Sequence, residues 1–185
     1  MTLMIEREVK LRFASPDEAR EAIRATGATP LRSRRLQEDA LLDTEDESLR
    51  QRRCVLRIRT ESGRSLLTFK GPVQPALTKV REELETVVGD GALVVRMLEQ
   101  LGFRVWFRYQ KYREEFALED VIVALDETPV GIFVEIEGGD RGIAETAEAL
   151  GRGPSDYLLD SYRRLYQVDC ETRGVAVTHM LFDDE

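Results

Sequence analysis

Residues 5–13 read Ile5-Glu6-Arg7-Glu8-Val9-Lys10-Leu11-Arg12-Phe13. Ile5, Val9, Leu11 and Phe13 share one parity, and Glu6, Glu8, Lys10 and Arg12 share the other. A period of two is the signature of a strand with one buried face. Here the polar member is a full charge at every step. The pattern recurs along the chain. Arg57 and Arg59 stand against Val55, Leu56 and Ile58, and Lys70 closes the run Thr68-Phe69-Lys70. Arg81, Glu83 and Glu85 share a parity, as do Tyr109, Lys111 and Arg113. Asp126 follows Val121, Val123 and Leu125, while Glu135 and Glu137 interleave with Phe133, Val134 and Ile136.

Eight segments alternate in this way, at about residues 3–13, 36–43, 54–60, 64–71, 79–88, 104–117, 120–126 and 132–138. Gly-Pro, Glu-Ser-Gly and Gly-Gly clusters punctuate them. Four helices are predicted. The first opens on Ser15, Pro16 and Glu18, a capping box, and stops at Gly27. The others cover about Gly91–Leu101 after Asp90, Arg141–Leu150 before Gly151, and Asp156–Tyr166 after Pro154. The order predicts an α+β fold dominated by one antiparallel sheet.

Seven acids (Glu6, Glu8, Glu83, Glu85, Asp126, Glu135, Glu137) and seven bases (Lys10, Arg57, Arg59, Lys70, Arg81, Lys111, Arg113) share the charged strand faces. Two arrangements produce such a pattern. One is a solvated outer face laced with cross-strand ion pairs, each contributing about 0–1 kcal/mol. In the other, the helices cover the apolar parity from outside and the charged parity lines a closed eight-stranded barrel. Charges inside a barrel need partners, metal or ligand. Both signs together suit a polyanion arriving with a divalent metal, since bases hold phosphate oxygens and carboxylates hold Mg²⁺ or Mn²⁺.

The chain of 185 residues and 21.1 kDa is 42% hydrophobic and 34% charged, enough apolar material for one sizeable core. A net charge of −8 argues against a whole-molecule footprint for nucleic acid or anionic membrane. No segment has the length and apolarity of a membrane span, and the N-terminus lacks a secretory pattern, so a cytoplasmic location is expected. Cys54 and Cys170 fit neither a metal spacing nor a disulfide framework. Only four of the 27 bases are lysine: Lys10, Lys70, Lys79 and Lys111.

Glu6-x-Glu8-x-Lys10 resembles the ExExK signature of the CYTH family, the triphosphate tunnel metalloenzymes. Other family motifs follow in the family's order. Asp43-Thr44 resembles its DTP turn, with Glu45 in the place of proline. After it come LRIR at 56–59, TFKGP at 68–72, REELE at 81–85, QKYRE at 110–114, LDETPVGIFVEIEG at 125–138 and SYRRL at 161–165. The resemblance implies an eight-stranded antiparallel tunnel with a charged interior and helices outside. It implies a tunnel domain over residues 1–167, with a tail at 168–185 of unassigned role. It also implies that Glu6, Glu8, Asp126, Glu135 and Glu137 serve Mg²⁺ or Mn²⁺. Lys10, Arg57, Arg59, Lys70, Arg81, Lys111 and Arg113 would bind triphosphate, and Glu83, Glu85 and Lys10 would act in catalysis.

The implied chemistry is phosphoryl transfer. The first expectation is a metal-dependent triphosphatase acting on inorganic triphosphate or a similar small triphosphate. The second is a class IV adenylyl cyclase acting on ATP, then a thiamine triphosphatase, and from another class a non-catalytic polyphosphate sensor. No feature of the sequence specifies an adenine pocket, and Phe103, Trp106 and Phe107 read as packing residues. His179 reads as surface or packing, Cys54 as a small core residue, and the clusters Arg32/Arg34/Arg35 and Arg50/Arg52/Arg53 as solvated or tunnel-mouth charge.

Overall fold

The computed structural model describes residues 5–183. Its elements are β1 (Ile5–Phe13), α1 (Pro16–Ala25), β2 (Thr29–Thr44), α2 (Ser48–Gln51), β3 (Val55–Glu61), β4 (Arg64–Lys70) and β5 (Lys79–Val88). They continue as α3 (Gly91–Gln100), β6 (Phe103–Leu118), β7 (Val121–Thr128), β8 (Gly131–Glu137), α4 (Asp140–Ala149) and α5 (Tyr162–Arg173). The strands close into a barrel in the order β1-β5-β4-β3-β2-β6-β7-β8, with every neighbouring pair antiparallel. The expected eight-stranded antiparallel barrel, with helices outside, is the fold.

Its outer face carries the main core. Val9 and Leu11 of β1, Val123 and Leu125 of β7, and Val134 and Ile136 of β8 are buried with Ala19 and Ile23 of α1 and Ile143 and Ala147 of α4. Each Val, Leu or Ile side chain so covered contributes about 1.5–3 kcal/mol. Ser15 caps α1, its hydroxyl accepting from the Glu18 N–H. Gly142 lets α4 seat closely, since a Cβ there would lie 2.6 Å from Cγ1 of Val121.

Burying one parity outside the barrel turns the other inward. Register then aligns the charges in rings: Glu6 faces Arg81, Glu8 faces both Lys79 and Glu137, and Lys10 faces Glu135. Lys70 faces Glu83, Arg113 faces Asp126, and Asp39 faces Arg59 and Tyr109.

Three elements depart from the sequence reading. Strand β2 begins at Thr29 rather than near residue 36, and its extra length is irregular, with register shifts between Pro30 and Arg32 and between Arg32 and Arg35. The run Arg32-Ser33-Arg34-Arg35 has no alternation to read, and pairing with β6 imposes the strand. The short helix α2 was not expected.

The fourth predicted helix, 156–166, is also corrected. Pro154 opens only a 3₁₀ turn ending at Asp156, and Leu158 then exchanges backbone hydrogen bonds of 3.1 and 2.9 Å with Lys10. The helix starts at Ser161, whose hydroxyl accepts from the Arg164 N–H, and ends at Gly174 in the left-handed region. Residues 3 and 4 of the first predicted strand lie outside the described residues.

Helix α5 runs across residue 167, and the chain after it returns to the barrel. The Gln110 N–H donates to the Met180 carbonyl at 2.9 Å and the Met180 N–H to the Arg108 carbonyl at 3.0 Å, with the Met180 side chain fully buried. Nδ1 of His179 accepts from the Arg108 N–H, a packing role. Among the described residues no helix is long and apolar enough to cross a membrane.

Candidate active site

The inward parity encloses a cavity of about 130 Å³. Lys10, Arg57, Arg59, Lys70, Arg81, Lys111 and Arg113 all line it, together with Glu6, Glu8, Glu135 and Glu137. Glu83 and Glu85 flank it through Lys70 and Arg57, and Asp126 stands behind Lys111 and Arg113.

The acids and bases are interlocked. Lys10 is buried between Glu8 at 2.9 Å and Glu135 at 3.1 Å. Burial disfavours its charge, but the two carboxylates outweigh burial and raise the lysine above its ordinary range. Glu6 accepts from Lys70 at 2.6 Å and Arg81 at 2.9 Å. Burial and Glu8 oppose its ionisation, yet those two bases hold it down at about 2. Lys70 also reaches Glu83 at 2.9 Å. Burial and the nearby Glu6 leave Glu83 above the ordinary carboxylate range despite Lys70.

Asp126 has no solvent exposure and organises the opposite wall. It accepts from Lys111 at 2.8 Å, from Arg113 at 2.7 and 2.5 Å, and from the Tyr162 hydroxyl at 2.6 Å. Arg113 also binds Glu135. Burial and the like charge of Arg113 push Lys111 down to about 8, in spite of Asp126.

Glu137 is the exception. It is exposed at the tunnel rim and forms no ion pair among the described residues. Partial burial and then the charges of Glu6 and Glu8 push its carboxyl up to about 7. Among the described residues no three His, Cys, Asp or Glu side chains converge to hold a metal as they stand. The inner acids are turned toward bases. The donor chemistry nevertheless fits a hard divalent cation: Glu6, Glu8 and Glu137 offer oxygen ligands only, and their mutual repulsion is what a cation would relieve.

Four further residues belong to the site. Lys79 lines the cavity 2.6 Å from Glu8, and burial with Lys10 nearby lowers it to about 8. Its signal was available, because it shares the parity of Arg81 and Glu83. Asp39 is buried against Arg59 at 2.9 Å and Arg57 at 3.4 Å. Tyr109 lines the wall, and the Tyr162 ring lies 5.3 Å from Nζ of Lys10 and 4.8 Å from Nζ of Lys111.

Asp43 has a structural role. Its buried carboxylate accepts from the backbone N–H groups of Thr44, Leu49 and Arg50 at 2.8–3.0 Å, which fixes α2 beside the tunnel. Further along β3 and β6, Glu61 accepts from Arg32, Arg35 and Gln37, and Glu115 from Arg35. The Arg32/Arg35 cluster is therefore consumed internally.

The CYTH domain family matches residues 4–156. A protein of Methanocaldococcus jannaschii named "Putative adenylate cyclase" is 30% identical over 148 residues, covering 80% of this chain and 84% of its own. A Vibrio parahaemolyticus structure described in the same words superposes with a TM-score of 0.77 at 20% identity, over 90% of this chain and 99% of that one. A Hippeastrum protein described as a "putative adenylyl cyclase" with a dominant triphosphatase activity has the same fold. Its TM-score is 0.65 at 19% identity, over 93% of this chain and 97% of its own.

Proposed function

The chain belongs to the CYTH domain family, and from that premise we propose that it is a divalent-metal-dependent triphosphatase hydrolysing a small triphosphate inside the barrel. The observation that carries this reading is the composition of one small cavity, in which eight bases and four acids face each other. A site for a polyanion alone would need no carboxylates. Acids and bases together serve an anion that enters with a cation.

Lys10, Arg57, Arg59, Lys70, Arg81, Lys111 and Arg113 would bind and align the phosphate oxygens, with Asp39 and Asp126 holding four of them in place. Glu6, Glu8 and Glu137, with Glu135 on the same wall, would hold Mg²⁺ or Mn²⁺. When bound, the metal would draw negative charge from the phosphate oxygens as the terminal P–O bond breaks. Glu83, raised by burial and close to Lys70, would orient a water and accept its proton, with Glu85 assisting from the rim. Bases fixed before the substrate arrives stabilise the developing charge without reorganisation.

The name of the M. jannaschii relative favours one second reading, cyclisation of ATP. Incubating the protein separately with triphosphate, ATP and thiamine triphosphate plus Mg²⁺ or Mn²⁺, and identifying products by ion chromatography, separates the two. Orthophosphate release supports hydrolysis. Cyclic AMP with pyrophosphate from ATP would replace it by cyclisation, and tight binding without product would leave a sensor.

A further inference from the structure

All four lysines of the chain line the tunnel, and three of them are held by two groups or more. Lys10 lies between Glu8 and Glu135, Lys70 between Glu6 and Glu83, and Lys111 between Asp126 and the Tyr162 ring. Lys79 differs. Among the described residues its ammonium has one partner, Oε1 of Glu8 at 2.6 Å, and that same oxygen accepts from Lys10 at 2.9 Å. An ammonium carries three N–H donors. Lys79 is only 5% exposed, so a single bond leaves it the least satisfied lysine of the lining.

Its place in the fold sets it apart as well. Glu8 pairs in register with Lys79 on β5 and with Glu137 on β8, which brings the ammonium to the acids assigned to the divalent cation. Lys79 is the first residue of β5 and forms the last rung of the β1–β5 ladder. Residues 72–77 just before it are an exposed loop. Lys10, by contrast, sits in the middle of β1, its backbone exchanging hydrogen bonds with Leu158. Of the two cations on Glu8, Lys79 is the one with room to leave.

Mg²⁺ is held through one or two carboxylates, and at Glu8 it would meet two ammonium groups on one oxygen. A buried carboxylate left without any cation is equally unfavourable. We infer that Lys79 is a built-in counter-cation, holding the cation position at Glu8 while the tunnel is free of metal and yielding it when Mg²⁺ or Mn²⁺ binds, its side chain swinging out toward the loop at 72–77. The inference rests on the assignment of Glu6, Glu8 and Glu137 to the metal. It makes Lys79 a positioning residue, which keeps Glu8 ionised and turned into the tunnel before the metal arrives, rather than an eighth contact to triphosphate.

Two measurements on the protein free of triphosphate test it. The first titrates Mn²⁺ and counts the unbound ion by electron paramagnetic resonance, with circular dichroism confirming the fold of each variant. Lys79→Met should bind Mn²⁺ about tenfold more tightly than the parent, since no ammonium has to be displaced. Lys111→Met removes the same charge from the wall of Asp126 and should gain less than about threefold. Loss of a merely structural contact would weaken metal binding instead. The second measurement needs no variant. Amines of the parent are acetylated by an N-hydroxysuccinimide ester with and without Mg²⁺, and each lysine is read by peptide mass spectrometry. Mg²⁺ should turn Lys79 from protected to reactive and leave Lys10, Lys70 and Lys111 protected. Equal gains in the two variants, weaker binding in Lys79→Met, Mn²⁺ uptake that requires triphosphate, or Lys79 labelling unmoved by Mg²⁺ would overturn the inference while the metal reading stands. No Mn²⁺ uptake with or without triphosphate would overturn both.

Discussion

Asp126 shows how single residues set the site. It has no solvent contact, and Lys111, Arg113 and Tyr162 all converge on it. Asp126→Asn keeps the shape and removes the charge, leaving two buried cations facing each other. Stability should drop by about 3–5 kcal/mol, as for other broken buried pairs, and triphosphate turnover by about a hundredfold or more through lost alignment. Urea melts and initial rates check the two effects separately. Glu6 gives a pH prediction. It stays ionised down to about 2 in the folded protein, against an ordinary 4.5. Its contribution to stability is therefore complete above pH 4.5 and is lost as pH falls toward 2. Glu6→Gln should lower the melting temperature at neutral pH, because Lys70 and Arg81 lose their partner, and flatten the acid limb of the stability curve. An acid limb as steep as that of the parent would contradict the pairing. At this scale the sequence was most legible on strands, where alternation assigns a face to each charge. Asp39 was missed because its parity on β2 mixes Gln37 and Asp43 with the apolar Leu41 and so assigns no face, and Tyr162 because it enters the tunnel from a helix end.

Among elements, all eight strands were readable from period and punctuation, β2 only over its second half, and three helices from caps and glycine stops. α5 was misplaced because Tyr157, Leu158, Tyr162 and Leu165 satisfy a helical spacing that the Lys10–Leu158 backbone pairing overrides. The segment after α5 has no periodic signal at all, and its docking depends on the free edge of β6 beyond the start of its β7 pairing at Tyr112. Met180 anchors it with a fully buried side chain. Met180→Ala should cost about 2–5 kcal/mol, the range for large-to-small core changes. A denaturant titration should show a lower midpoint with a single transition. An unchanged midpoint would mean that the segment contributes nothing to the folded barrel.

For the whole molecule, net charge and local charge point in opposite directions. The chain carries −8, yet its tunnel lining holds eight bases against four acids. Closure of the barrel produces that reversal, by sorting the bases inward and leaving much of the acidity outside. Composition alone could exclude a global footprint for polyanions but could not see the interior one. Triphosphate binding only to the closed barrel should stabilise it by about 2.7 kcal/mol at a hundred times the dissociation constant, and a thermal melt in millimolar triphosphate should shift upward. The direct test is a calorimetric titration of inorganic triphosphate, with Mn²⁺, into the parent protein and into Lys10→Met, with circular dichroism confirming that both are folded. One saturable site per chain is predicted, weakened by about a hundredfold or more in the variant, whose lysine is a charged contact at the tunnel's centre. Equal affinity in the two folded proteins, or no heat at millimolar triphosphate, would contradict the tunnel as the triphosphate site.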